Sequence, residues 1–220
     1  MSLNRFLLLL LLSSYALALD FTPGAGSKFV MKTEGQAVDL SIYVASRTSD
    51  SLNVEMHFGA GGIIPINMWQ QFQFKLAGNN QPLEVSKGYI KTTDLKNPEV
   101  LTKEFFKSNN GVQVQDFLFA SESEIAKDFI AEETIEVPAG SVKAKHFRKS
   151  NKGQTVDFWI AENVGPIGLV KLVSKSEKNK QANYEIELKT LLKNVAASIK
   201  PSQAVPMSSD TRKMLGKSQK

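Results

Sequence analysis

The stretch from Ile130 to Ala161, IAEETIEVPAGSVKAKHFRKSNKGQTVDFWIA, decides the fold class of this chain. It contains three runs rich in β-branched and aromatic residues. Two turn segments separate these runs, Pro138-Ala139-Gly140 and Asn151-Lys152-Gly153. Glycine in each turn supplies the backbone freedom that a short hairpin loop requires. Loops this short cannot carry a parallel crossover, so the stretch predicts an antiparallel meander.

Alternation of apolar and polar residues extends this pattern in both directions along the chain. In Ala37 to Val44 every second residue is a branched aliphatic one, which places four apolar side chains on one face of a strand. The same pattern predicts strands at 52–58, 112–119, 169–174 and 184–191. The segment from Ile64 to Phe72 fits helical spacing, while Phe72, Phe74 and Leu76 fit a strand. We interpret it as a helical turn that leads into a strand.

Helix signals are few. Asn97-Pro98-Glu99 combines an N-cap residue, proline at the first helical position and an acid in the first turn, and Asn110-Gly111 would end that helix. Ser121 and Glu124 form a capping-box pattern for a short helix to Lys127. The predicted fold class is therefore mainly β (α+β). We expect a single large curved antiparallel sheet, shaped as a half-open barrel, with two or three short covering helices.

The two ends of the chain differ from the middle. Residues 1–18 have an arginine, an apolar run and the small-residue pattern Ala16-Leu17-Ala18, which predicts a signal peptide that is removed. Residues 19–199 form the predicted β-rich domain. Residues 200–220 are rich in serine, proline and lysine and predict a basic disordered tail. These features predict export to the periplasm or the extracellular space, and no transmembrane span is expected.

Composition argues against several functional classes. The net charge is +5, but much of it lies in the tail, so the body of the chain is close to neutral and we expect no nucleic-acid partner. The chain has no cysteine and two histidines, which argues against a zinc site. No cofactor or metal is expected.

The two histidines, His57 and His146, are the candidates for a general base. If Asn151 to Gly153 is a three-residue loop, His146 pairs with Phe158, and this register argues against a couple between His146 and Asp157. We expect His146 to be half-buried and His57 to be solvated. No serine nucleophile motif is present, so no catalytic residue is assigned.

The apolar residues are more suggestive, because 13 phenylalanines, six methionines and two tryptophans are ample for lining a cavity. Such cavities hold acyl chains and similar ligands, although most of these side chains could equally pack together as core. The predicted ligand-binding residues are Ile64, Met68, Trp69, Phe72, Phe74, Phe158 and Leu169.

Two stretches carry a resemblance to known proteins. Val137 to Phe147 contains a V-P-A-G hairpin and a strand that ends in histidine and an aromatic residue. Asp157 to Lys171 contains a D-x-W strand that leads into P-x-G-L-V. Together they resemble a poorly characterised group of exported bacterial proteins, similar in style to the half-open barrels of periplasmic lipoprotein carriers. The resemblance implies a curved sheet that could hold a lipid, and a shared fold does not fix the function.

Three functional hypotheses follow. The first is a non-enzymatic periplasmic or secreted binding protein that holds a lipid or another apolar ligand, or docks an envelope protein. The second is a structural or assembly factor of the cell envelope with a packed core and no ligand. The third is a hydrolase with an unrecognised site, which would require a polar cleft that unites His146 with a serine or a carboxylate.

Overall fold

The structure of the 220-residue chain is a computed structural model. It describes residues 20–61, 66–77, 82–102, 105, 126–151, 153–177 and 183–217. Within these ranges the strands are β1 (Gly26–Thr33), β2 (Gln36–Arg47), β3 (Ser51–Phe58), β4 (Met68–Leu76), β5 (Pro82–Thr92), β6 (Glu99–Val100), β7 (Phe129–Val137), β8 (Gly140–Asn151), β9 (Gln154–Ile160), β10 (Leu169–Ser176), β11 (Tyr184–Leu192) and β12 (Val205–Pro206). A 3-10 turn at Pro201–Gln203 and the helix α1 (Ser209–Lys217) complete the described elements.

The strands form one sheet in the order β12-β6-β5-β4-β3-β2-β1-β11-β10-β9-β8-β7. Two meanders meet at its centre, where β1 pairs with β11 in antiparallel orientation. The N-terminal half of the sheet therefore runs from β12 to β1, and the C-terminal half from β11 to β7. The sheet does not close into a barrel, so the predicted mainly β class and single large sheet are confirmed.

One face of the sheet carries the hydrophobic core. Strand alternation places every second residue on this face, as in β2, where Leu40, Ile42 and Val44 are at most 1 % exposed. Side chains from both halves belong to the same cluster, including Phe29, Phe72 and Phe158. The core is thus continuous across the β1–β11 junction.

The opposite face carries polar and charged side chains and is called the polar face below. In the C-terminal half it presents His146, Asp157 and Lys171, and in the N-terminal half Tyr43 and Glu55. Each of them neighbours a core residue along its strand, so each points away from the core.

The helix that was predicted to begin at Asn97-Pro98-Glu99 does not begin there. Glu99 and Val100 form β6 and pair with β5, with Tyr89 opposite Val100. The acid that the sequence places in a first helical turn is instead buried, and it accepts hydrogen bonds from Ser208. Residues 103–104 and 106–111 of this predicted helix, residues 121–125 of the second, the predicted strand at 112–119 and the predicted signal peptide at 1–18 lie outside the described residues.

The C-terminal segment also differs from expectation. Residues 201–217 include a 3-10 turn, β12 and α1, where the sequence suggested a disordered tail. β12 runs parallel to β6, so the sheet is mixed and not purely antiparallel. The physical reason is tertiary: Met207, Met214 and Leu215 pack against the core cluster, a contact that local composition does not reveal. None of the described helices is long and apolar enough to cross a membrane.

Candidate functional site

His146 lies on the polar face between two carboxylates. Its Nε2 is 2.8 Å from Asp157 Oδ1, and its Nδ1 is 3.1 Å from Glu133 Oε1. The ring stacks on the indole of Trp159 with 4.3 Å between centroids, and Trp159 Nε1 donates to Glu133 at 2.6 Å. Arg148 Nε donates to the same oxygen of Asp157 at 2.7 Å. The five side chains form one connected group, the His146 cluster.

The expected separation of His146 from Asp157 is wrong, and the reason is a shift of one residue. Asn151 pairs with Gln154, so the β8–β9 loop has two residues and not three. This register places His146 opposite Trp159 and brings Asp157 onto the same face, diagonal to the histidine.

The side chains of the His146 cluster hold one another by hydrogen bonds and by the ion pair between Arg148 and Asp157. A general base needs a free ring nitrogen that faces its substrate, and here each nitrogen faces a carboxylate. Burial raises the pKa of Asp157, but hydrogen bonds from Arg148 and His146 lower it more, so the pKa of this carboxyl lies below its ordinary value. The carboxylate that the hydrolase hypothesis requires is present, but it occupies a nitrogen of His146.

A second ion-pair group continues the polar face toward the centre of the sheet. Lys171 Nζ lies 2.6 Å from Glu185 Oε1 and 2.9 Å from Glu187 Oε1, and Lys32 Nζ lies 2.7 Å from Glu187 Oε2. Burial raises the pKa of Glu187, but hydrogen bonds from Lys32 and Lys171 lower it more, which leaves the net pKa low. These contacts hold the charged side chains of β1, β10 and β11 in fixed positions.

An open groove borders both groups at one end of the sheet. It has a volume of about 840 Å³ and lies where the β1–β2 and β8–β9 hairpins turn and where β10 ends. Its charged lining has both signs: the cationic residues are Lys32, Arg148 and Lys175, and the anionic residues are Glu34, Asp157, Glu177 and Glu185. Threonine, serine and asparagine side chains supply much of the rest, so the groove offers hydrogen-bond donors and acceptors to a polar ligand.

Glu55 is a buried carboxylate in the N-terminal half of the polar face. It is 0 % exposed and accepts four hydrogen bonds. Tyr43 donates its hydroxyl at 2.5 Å and Gln71 its amide at 2.9 Å, and the backbone N–H groups of Ser198 and Ile199 donate at 2.8 and 3.1 Å. Burial, followed by the contact with Glu55, raises the pKa of Tyr43 far above its ordinary value.

The structure separates the predicted ligand-binding residues into three groups. Phe72, Phe74, Phe158 and Leu169 are all at most 2 % exposed and belong to the core cluster, and Met68 packs at its margin. Trp69 lies on the polar face, where it stacks on His57 with 4.6 Å between centroids. Ile64 lies outside the described residues.

Sequence reasoning missed Glu55 and the groove. Glu55 is a polar residue between the apolar residues Val54 and Met56, and this alternation predicts a side chain that faces solvent. Its burial comes from residues 198 and 199, which lie more than 140 positions away in the chain. No local signal could have revealed this contact.

Comparison with known proteins gives similarities in structure alone. No protein-family model matches the chain, and no curated protein matches it. A predicted exported protein with a YmcC-like fold from Bacteroides fragilis is 14% identical, with 77% of this chain and 96% of that chain covered and a TM-score of 0.39. A hypothetical protein from Chlamydia trachomatis is 11% identical, with coverages of 85% and 94% and a TM-score of 0.43. MucB is 12% identical with a TM-score of 0.35; the match covers 87% of this chain but 60% of the length of MucB.

Proposed function

We propose that this protein is an exported, non-enzymatic binding protein of the bacterial cell envelope. It holds a polar segment of a partner protein in the groove at the hairpin end of its sheet. The observation that carries the proposal is the groove itself, with its volume of about 840 Å³ and its lining of both charge signs.

The groove chemistry favours a polypeptide over an acyl chain. A peptide backbone presents N–H and C=O groups that need polar partners when they are bound, and the groove offers hydroxyl, amide, carboxylate and cationic groups. Lys32 and Arg148 are each held by a carboxylate, at 2.7 Å in both cases. Groups that are already positioned lose less conformational entropy when a ligand binds.

A binding function is favoured over a catalytic one because each ring nitrogen of His146 faces a carboxylate. The cluster supplies no free ring nitrogen, and no serine or threonine among the described residues hydrogen-bonds to this histidine. The group positions side chains beside the groove, with Arg148 and Asp157 belonging to both.

The test places a photo-crosslinking residue at Lys175, an exposed position in the groove, in the full chain produced by its own host. A control chain carries it at Gln203, which is exposed and far from the groove. We expect a protein adduct specific to position 175, and binding of the purified adduct partner should weaken at least tenfold in Arg148→Ala. The same adducts at both positions would contradict the proposal.

Export has its own test. Production of the full chain in a bacterial host should give a product shortened by about 18 residues, released with the periplasmic or extracellular fraction. A full-length product in the cytoplasmic fraction would overturn export without bearing on the groove.

A second candidate function is the binding of an apolar ligand such as a lipid. Met68 is half-buried at the margin of the core, and Phe58, Leu76 and Val85 are partly buried beside the same cluster. Such a margin is where an acyl chain could enter among apolar side chains. Native mass spectrometry with lipid extraction, on protein from its own host, should then detect a bound lipid, and its consistent absence under gentle conditions would remove this candidate.

A further inference from the structure

The C-terminal residues 193–208, called the strap below, cross the polar face of the N-terminal half. Val195 N–H donates to the carbonyl of Gly24 at 3.1 Å beside β1. Further along, Val205 N–H donates to the carbonyl of Pro98 at 2.9 Å, next to β6. Since β6 lies at the far side of this half of the sheet, the strap spans the face from β1 to β6.

A buried carboxylate holds the middle of the strap. Glu55 accepts the successive N–H groups of Ser198 and Ile199, one with each carboxylate oxygen. Gln71 Nε2 donates to the carbonyl of Ile199 at 3.2 Å, and Lys91 Nζ to that of Ser198 at 3.4 Å. The sheet thus recognises the backbone of an extended segment through side chains of three strands.

A second buried carboxylate holds the strap near its end. Glu99, which is 4 % exposed, accepts the N–H of Ser208 at 3.0 Å and its hydroxyl at 3.3 Å. Both attachments therefore have the same chemistry, a glutamate of the sheet that accepts backbone N–H groups of the strap. Hydrogen bonds to charged acceptors are stronger than those between neutral groups.

The strap itself buries little. Between residues 193 and 208, Ile199 at 2 % exposure is the fully buried side chain, and Met207 is the one further hydrophobic side chain that packs against the core cluster. A segment with few buried apolar contacts opens at a lower free energy than the core strands do. We therefore expect the strap to leave the sheet while β2 to β5 stay folded.

The surface under the strap has the properties of a peptide site. Tyr43, Glu55, Gln71 and Tyr89 face one another across β2 to β5 and are each at most 6 % exposed. Gln71 Oε1 is buried and has no hydrogen-bond partner, so the surface keeps one acceptor that the strap does not use. Tyrosines beside a backbone-binding carboxylate give large contact area with polar anchoring.

We propose that the surface formed by Tyr43, Glu55, Gln71 and Tyr89 is a docking site for an extended polypeptide segment of a partner protein, and that the strap is its built-in competitor. The preferred segment places an aliphatic side chain where Ile199 lies and offers two successive backbone N–H groups to Glu55. This surface is separate from the groove of the proposed function, so either can fail without the other.

The test uses a labelled synthetic peptide of residues 193–208 and the full chain. In the unmodified chain the strap competes with the peptide for the docking surface. Because the strap is part of the same chain, its effective concentration is high, and the peptide should bind weakly. Ile199→Pro in the chain removes one N–H and the buried side chain of the strap but leaves the docking surface intact. The peptide should then bind at least tenfold more tightly, whereas Gln203→Ala, at an exposed strap position, should leave the affinity unchanged.

A combined variant shows whether the peptide occupies the expected surface. Adding Glu55→Gln to Ile199→Pro should abolish the gain in affinity, because the strap is open but the carboxylate is gone. A control peptide that carries Ile199→Pro should not bind any of the chains. If the open Ile199→Pro chain binds no peptide, or binds it equally well with Glu55→Gln, the docking site is refuted.

Hydrogen exchange of the unmodified chain provides a test that needs no variant. The N–H groups of Ser198, Ile199 and Val205 should exchange at least tenfold faster than those of β3 and β4. Exchange of the strap in step with the central strands would show that it does not open separately and would overturn the competitor role. If Ile199→Pro fails to fold, Ile199→Ala takes its place in the peptide titration.

Discussion

At the scale of single residues, Asp157 makes the ion pairs of the His146 cluster pH-dependent. Its pKa in the folded protein lies below the ordinary 3.8 because Arg148 and His146 hydrogen-bond to the carboxylate and outweigh the effect of burial. A lowered native pKa stabilises the fold above the unfolded pKa, and this contribution is lost as the pH falls through the native value. Asp157→Asn should therefore lower the free energy of unfolding by about 1–2 kcal/mol at pH 5.5, measured by urea denaturation.

The same measurement at pH 2 checks the sign. The difference between Asp157→Asn and the unmodified chain should be smaller there than at pH 5.5, since a falling pH protonates the aspartate. Glu136→Gln, an exposed acid on β7, is the matched control and should change stability little at either pH. A difference for Asp157→Asn that stays constant down to pH 2 would show that packing, and not charge, is responsible.

Gly26 shows how closely the first two strands approach. A Cβ at this position would overlap the carbonyl oxygen of Ile42 and lie 2.5 Å from Cβ of Tyr43. Gly26→Ala should cost about 1–3 kcal/mol of unfolding free energy, because the backbone has to shift. Gly59→Ala, where the nearest atom would be at an ordinary 3.4 Å, should stay within about 0.5 kcal/mol. Equal effects in thermal denaturation would contradict this account.

At the scale of elements, α1 depends on a capping serine. The N–H of Thr211 donates to Ser208 Oγ at 3.2 Å, and the hydroxyl also contacts Glu99. Ser208→Ala should destabilise the helix by about 1 kcal/mol, so its amides should exchange about fivefold faster. Ser209→Ala, the adjacent exposed serine, is the control. Equal exchange rates in the two variants would show that the cap does not hold the helix.

Elements defined by local alternation could be predicted from the sequence, and those defined by distant partners could not. β2, β3 and β8 to β11 follow from their apolar patterns and turn glycines. β6 and β12 are two residues long; β6 pairs with β5, and β12 forms because the C-terminal segment folds back onto β6. Local signals at Asn97-Pro98-Glu99 favoured a helix, but burial of Glu99 against Ser208 decides otherwise.

The candidate site could be predicted only in part, for the same reason. The two-residue loop before Gln154 sets a β8–β9 register in which His146 and Asp157 lie on the same face and in contact. A register shifted by one residue would place them on opposite faces. Phe72 and Phe158, which were predicted to bind a ligand, are buried apolar residues of the core cluster. Whether buried phenylalanines line a cavity or fill a core depends on packing, which the sequence does not encode locally.

At the scale of the whole molecule, the question is whether the two meanders fold as one unit. They share the core cluster, and the β1–β11 pairing joins them along seven residue pairs. Phe29 and Leu188 face each other at this junction, and both are at most 2 % exposed. Separating the halves would expose these side chains to water, at a cost of about 1.5–3 kcal/mol for each.

The chain has two tryptophans, one in each half, which makes this unity measurable. Trp69→Phe leaves Trp159 on β9 to report the C-terminal half, and Trp159→Phe leaves Trp69 on β4 to report the N-terminal half. Since the core is shared, we expect one cooperative transition in urea. In each variant the fluorescence midpoint should coincide with that of its own circular dichroism signal, so any stability change caused by the substitution cancels. A fluorescence transition that precedes the loss of strand signal in either variant would mean that the halves unfold separately, and the β1–β11 junction would then be a boundary between two folding units.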